Sequence, residues 1–127
     1  MSSSFLAILS VGLAGALGAG ARFLTVEWIA RRWRRPFPLA SWLINVGGSF
    51  LLGLLTTALI APAQLGLRTL LGVGFLGGYT TFSTLSYETF ALARRNETRL
   101  AWLNAVGSVV AGLAAAFLGL WLGLHIR

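Results

Sequence analysis

Four long apolar stretches divide the chain, at about Phe5 to Ala30, Leu39 to Ala61, Leu65 to Ala93 and Leu100 to Leu124. Each has at least the roughly 20 residues that an α-helix needs to cross a bilayer. The pattern therefore predicts an all-α integral membrane protein, with four spans filling a single domain over residues 1–127. Short polar pieces separate the spans. Arg31-Arg32-Trp33-Arg34-Arg35-Pro36-Phe37-Pro38 is a basic loop whose prolines end the first helix and extend the chain. Pro62-Ala63-Gln64 is a very short turn, and Arg94-Arg95-Asn96-Glu97-Thr98-Arg99 is a solvated one. Trp28, Trp33, Trp42, Trp102 and Trp121 all fall near segment ends, as aromatic belts at both membrane interfaces require.

The third stretch is poor material for a plain lipid-facing helix. Gly74, Gly77 and Gly78 each weaken helix by about 1 kcal/mol relative to Ala. Thr80, Thr81, Ser83, Thr84 and Ser86 follow at once. Backbone released from helical pairing at membrane depth survives only when buried in protein or lining a wet cavity. The expectation is a third helix broken between about Gly77 and Thr81, with a hydroxyl-rich second half along a polar path.

Other positions depart from simple apolar helix as well. Gly12, Ala16 and Gly20 share one face of segment one, with Gly15 and Ala19 nearby, which predicts close helix packing along that face. Arg22 lies inside the same segment and reads as a structural anchor, bonded to helix-end carbonyls or reaching for the interface. Asn45 must find a partner in an apolar setting; interhelical bonding and a polar path account for it equally well. In segment four, Asn104, Ser108 and Gly112 form one row and Ala111, Ala115, Gly119 and Gly123 a second. The first suits a polar track or packing, the second a packing seam. Glu88 is the only acid not obviously at a loop or segment end, and its plainest reading is interfacial because Arg94 and Arg95 follow within two turns.

Composition narrows the class. Hydrophobic residues make up 57% of the chain, and its mean hydropathy is +0.81. There is no Cys, every basic side chain is Arg and every acid is Glu. The net charge of +7 could suit nucleic acid, but the arginines cluster at segment ends, where membrane topology explains them. Met1-Ser2-Ser3-Ser4 has no positive charge of its own to open a cleaved signal peptide. An enzyme is the poorest reading, since Cys and Asp are absent and the single His, His125, is near the terminus.

Three motifs then occur in order. They are Gly12-Leu13-Ala14-Gly15-Ala16-Leu17-Gly18-Ala19-Gly20-Ala21-Arg22-Phe23, Asn45-Val46-Gly47-Gly48-Ser49-Phe50 and Gly74-Phe75-Leu76-Gly77-Gly78-Tyr79-Thr80-Thr81-Phe82-Ser83-Thr84. Together they resemble the Fluc/CrcB family of small fluoride channels over nearly the whole length. The resemblance implies a dual-topology channel in the inner (plasma) membrane: an antiparallel dimer of four-helix subunits with two fluoride pores. It implies a structural Na⁺ at the dimer centre, held by the backbone carbonyls of Gly77 and Thr80. It further implies a fluoride pathway along Asn45, Phe82, Ser83, Thr84 and Ser108. Two positions depart from the family pattern: Leu85 stands where a second phenylalanine is common, and Asn104 where tyrosine is.

A small multidrug-type transporter is a rival four-span antiparallel dimer, but it needs an acid near mid-membrane in helix one. Segment one has only Glu27, beside its arginine-rich end. A non-conducting assembly subunit is the other rival. Charge placement bears on the partner. Arg31, Arg32, Arg34, Arg35, Arg94, Arg95 and Arg99 lie on one side, Arg68 and Arg127 on the other. Positive loops tend to stay cytoplasmic, which favours outward-facing termini. The imbalance therefore opens two expectations for the second subunit, an identical antiparallel chain or an oppositely biased paralogue.

Overall fold

The structure is a computed structural model that describes residues 2–127. Its elements are helical throughout. Helix α1 spans Ser2–Ala30, α2 Leu39–Ala58 and α6 Thr98–Ile126, and each is long and apolar enough to cross a membrane. Between α2 and α6 lie shorter pieces. A 3₁₀ turn at Pro62–Gln64 leads into α3 (Leu65–Arg68), a π-helical stretch (Thr69–Leu76), α4 (Gly77–Tyr79) and α5 (Phe82–Arg94). Helix α1 starts at Ser2 rather than Phe5, α6 runs two residues past each expected end, and α2 ends at Ala58 rather than near Ala61. Pro62 follows and cannot continue the helix.

The large side chains mostly face outward, and the helices meet through small ones. Leu13, Leu17, Phe23, Leu24, Val110, Phe117 and Trp121 are all exposed. In lipid this is the expected sense, because acyl chains are as apolar as Leu and drive no helix association. Packing instead comes from close backbone approach. A Cβ on Gly18 would strike the Phe75 carbonyl, and one on Gly78 the Gly15 carbonyl. These contacts join α1 to the Thr69–Tyr79 stretch. A Cβ on Gly53 would strike the Ala116 carbonyl, and one on Gly119 the Phe50 carbonyl, where α2 lies along α6.

Two expectations about these faces need correction. In α1 the packing row is Ala14, Gly15 and Gly18, while Gly12, Ala16 and Gly20 are exposed and open space surrounds Gly12 and Gly20. Both rows have small residues at helical spacing, so spacing alone could not choose between them. In α6 the two expected rows merge into one inward face. Its polar end meets α5 through Asn104, and its small end, at Gly119 and Gly123, lies against α2.

Candidate functional site

The helix breaks where its glycines and hydroxyls meet. Thr80 (φ −83°, ψ 159°) and Thr81 (φ −154°, ψ 126°) are extended, between the end of α4 and the start of α5. Upstream, the Thr69–Leu76 stretch is already loosened, since the Gly77 N–H donates five residues back to the Gly72 carbonyl. Such π-type winding shifts the register of everything after it and is frequent at functional sites.

Asn45 of α2 holds the break open. Its Nδ2 donates to the Thr81 carbonyl at 2.9 Å, and its Oδ1 accepts the Thr81 N–H at 2.9 Å. The side-chain amide thus pairs with both backbone groups of one residue, as a neighbouring strand would. A continuous helix would have given the Thr81 N–H to the Gly77 carbonyl; the strap diverts it. The sequence left two readings of Asn45 open. The structure gives it the bonding role and also sets it in the wall of a cavity.

Arg22 supplies a second support, with its Nη1 donating to the Thr80 carbonyl at 3.3 Å. That contact links α1 to the broken segment. Beside it, the Thr25 and Tyr79 hydroxyls are 3.3 Å apart, tying α1 to α4. The lower half then restarts with its own cap. Thr81 Oγ1 accepts the Thr84 N–H at 3.2 Å and lies 3.2 Å from both the Ser83 and Thr84 hydroxyls.

A cavity of about 320 Å³ opens at the break. Of the expected pathway residues, Asn45, Phe82 and Ser108 line it, as do both expected cation ligands, Gly77 and Thr80. Ser83 and Thr84 do not; they sit on the α5 cap just beyond. Phe82 is 79% exposed, so its ring stands at the cavity's open side. Leu85, the departure from the family pattern, also lines the cavity. Thr81, Gly48 and Ser49, though part of the quoted motifs, were given no site role by sequence reasoning. Thr81 was one hydroxyl among five, and only the three-dimensional pairing with Asn45 distinguishes it. Gly48 is required by the fold, because a Cβ there would collide with Thr80 Cγ2.

Polar groups continue away from the cavity along α5 and α6. Asn104 is fully buried and donates to the Thr89 hydroxyl at 3.0 Å. Its Oδ1, the Ser108 Oγ and the Glu88 Oε2 are buried without partners. Glu88 faces α2 and accepts a 2.8 Å bond from Ser41 in its first turn. Among the described residues no cluster of His, Cys, Asp and Glu could hold a metal through side chains.

Comparison with known proteins decides the lineage. The family described as CrcB-like protein, Camphor Resistance (CrcB), matches residues 9–120. This chain belongs to that family. It is 47% identical over 121 residues to "Fluoride-specific ion channel FluC 1" of Leifsonia xyli, covering 93% of this chain and 87% of that protein. It is 48% identical over 123 residues to "Fluoride-specific ion channel FluC 2" of Cutibacterium acnes, covering 94% and 98%. With "Fluoride-specific ion channel FluC" of Geobacter metallireducens it shares 44% over 126 residues, 95% of this chain and 99% of the other. Family membership and three span-capable helices together make it a multi-pass membrane protein.

Proposed function

We propose that this chain is a subunit of a fluoride-selective channel that lets fluoride leave the cytoplasm passively across the inner membrane. The observation that carries the reading is the Asn45-strapped break at Thr80–Thr81, opening on a cavity in a chain whose relatives are named fluoride-specific channels. Fluoride is a small, strongly hydrated anion, so a pore must replace its water with donors and yet release it quickly. Asn45 has a second amide hydrogen beyond the one given to Thr81. Ser108 has a hydroxyl without a protein partner. The N-terminal end of α5, with the Ser83 and Thr84 hydroxyls on it, favours negative charge through the helix dipole. Phe82 can turn the electropositive edge of its ring toward an anion. None of these groups is a fixed cation, so each binds fluoride weakly enough to pass it on.

In this reading the helix broken at Thr80–Thr81 is a span as well, third in chain order of four, and two chains associate antiparallel. Closed two-fold pairing would bring the two breaks together. The carbonyls of Gly77 and Thr80 would then hold the structural Na⁺, a hard cation suited to oxygen dipoles in unwound helix. Two features support that fit. Asn45 has taken the amide that would otherwise cover the Gly77 carbonyl, and a carbonyl has two acceptor sites, so Thr80 can serve Arg22 and an ion together. The ion would neutralise converging dipoles; the chain's own groups do the rest.

Seven arginines on one border against two on the other open a second reading of the partner beside the identical chain. There the companion is an oppositely oriented paralogue rather than an identical chain. Fluoride efflux from liposomes that contain only this chain, with chloride as the control, tests the function.

A further inference from the structure

We propose that the arginine-rich end of α1 holds the phosphate of an anionic phospholipid between Arg31 and Arg32, with an acyl chain lying down the outer face of α1. Leu24, Glu27, Trp28, Arg31 and Arg32 form one open, exposed face at this border. The Arg32 guanidinium lies 4.1 Å from the centre of the Trp28 ring and donates to the Trp28 carbonyl at 3.0 Å. It is therefore fixed in place while most of its five N–H donors remain for a ligand. Arg31 is 77% exposed, and its only ionic partner is Glu27 at 3.9 Å, outside hydrogen-bond range. Two guanidiniums one residue apart, one immobilised and one loosely paired, suit the several oxygens of a phosphate.

The surface below the arginines says which phosphate. Trp28, Leu24, Leu17 and Leu13 are all exposed, and spacings of four and seven place them in one row along the helix. Gly20 interrupts that row with open space around it, leaving a notch between Leu17 and Leu24. A free anion has no use for such a track, whereas a lipid chain continues directly from its headgroup into it. The surrounding charge agrees. Arg34, Arg35, Arg94, Arg95 and Arg99 share this border, and Glu27 and Glu97 are the only acids there. Polybasic borders of this kind attract anionic leaflets. The site stands apart from the cavity at Thr80–Thr81 and does not depend on what that cavity conducts.

The test is native mass spectrometry of the full chain in detergent, after equilibration with phosphatidylglycerol or phosphatidylcholine of matched chains. Phosphatidylglycerol should stay bound through detergent exchange while phosphatidylcholine is lost. The double variant Arg31→Gln/Arg32→Gln should retain about thirtyfold less of it. Arg68→Gln, on the opposite border, should retain it like the parent. Glu27→Gln frees Arg31 and should retain at least as much as the parent, which separates a binding role from a folding defect in the arginine variants. Equal retention of the two lipids, or full retention by the double variant, would overturn the proposal. So would displacement of the lipid by millimolar inorganic phosphate, or no lipid bound at all, as when a second copy of the chain covers this face.

Discussion

Asn45 carries more of the site than any other side chain, because one amide satisfies both backbone groups of Thr81 and still faces the cavity. Asn45→Asp removes the donor and sets a carboxylate against the Thr81 carbonyl and beside the proposed anion path. Two like charges about 4 Å apart at a protein border repel by about 4 kcal/mol. Fluoride flux should therefore fall at least tenfold, read as efflux from proteoliposomes, and flux equal to the parent would leave Asn45 only a strap. Gly48 gives a second test of the same cradle. A methyl there overlaps Thr80 Cγ2, while the Thr80 hydroxyl is held by the Leu76 carbonyl at 2.9 Å. Gly48→Ala should destabilise the chain by about 1–3 kcal/mol through overpacking, seen as a lower melting temperature in detergent, whereas Gly47→Ala, with open space around it, should not.

At the scale of elements, the break depends on a cap as much as on a strap. Thr81 Oγ1 starts α5 by accepting the Thr84 N–H. Thr81→Val keeps the shape and removes the hydroxyl, which should cost about 1 kcal/mol and loosen the first turn of α5, measurable as faster amide exchange at Thr84. The ring at the cavity's open side gives another prediction. If its edge aids an anion, Phe82→Ile slows flux and Leu85→Phe is tolerated; equal flux in Phe82→Ile and parent would remove the ring from the account. The existence and place of this break were legible in the sequence, since Gly74, Gly77 and Gly78 run straight into Thr80 and Thr81. The packing faces were less so. Small residues recur around most of α1, and periodicity cannot say whether Gly12 or Gly18 meets a neighbour. Glu88 was half legible for a related reason: its distance along the chain from Arg94 was visible, but its contact with Ser41, far away in sequence, was not.

For the whole molecule, the unequal arginine borders bear on assembly. A reporter fused to the C-terminus, with this chain expressed alone, should appear on both sides of the membrane if identical chains pair antiparallel. A single outward orientation, with no flux until a second subunit is supplied, would establish the paralogue reading. The most direct test of the central claim is anion efflux from liposomes reconstituted with this chain and nothing else. The account predicts rapid fluoride loss with chloride retained. Fluoride and chloride leaving together, or fluoride held back in vesicles where the chain has inserted in both orientations, would contradict it.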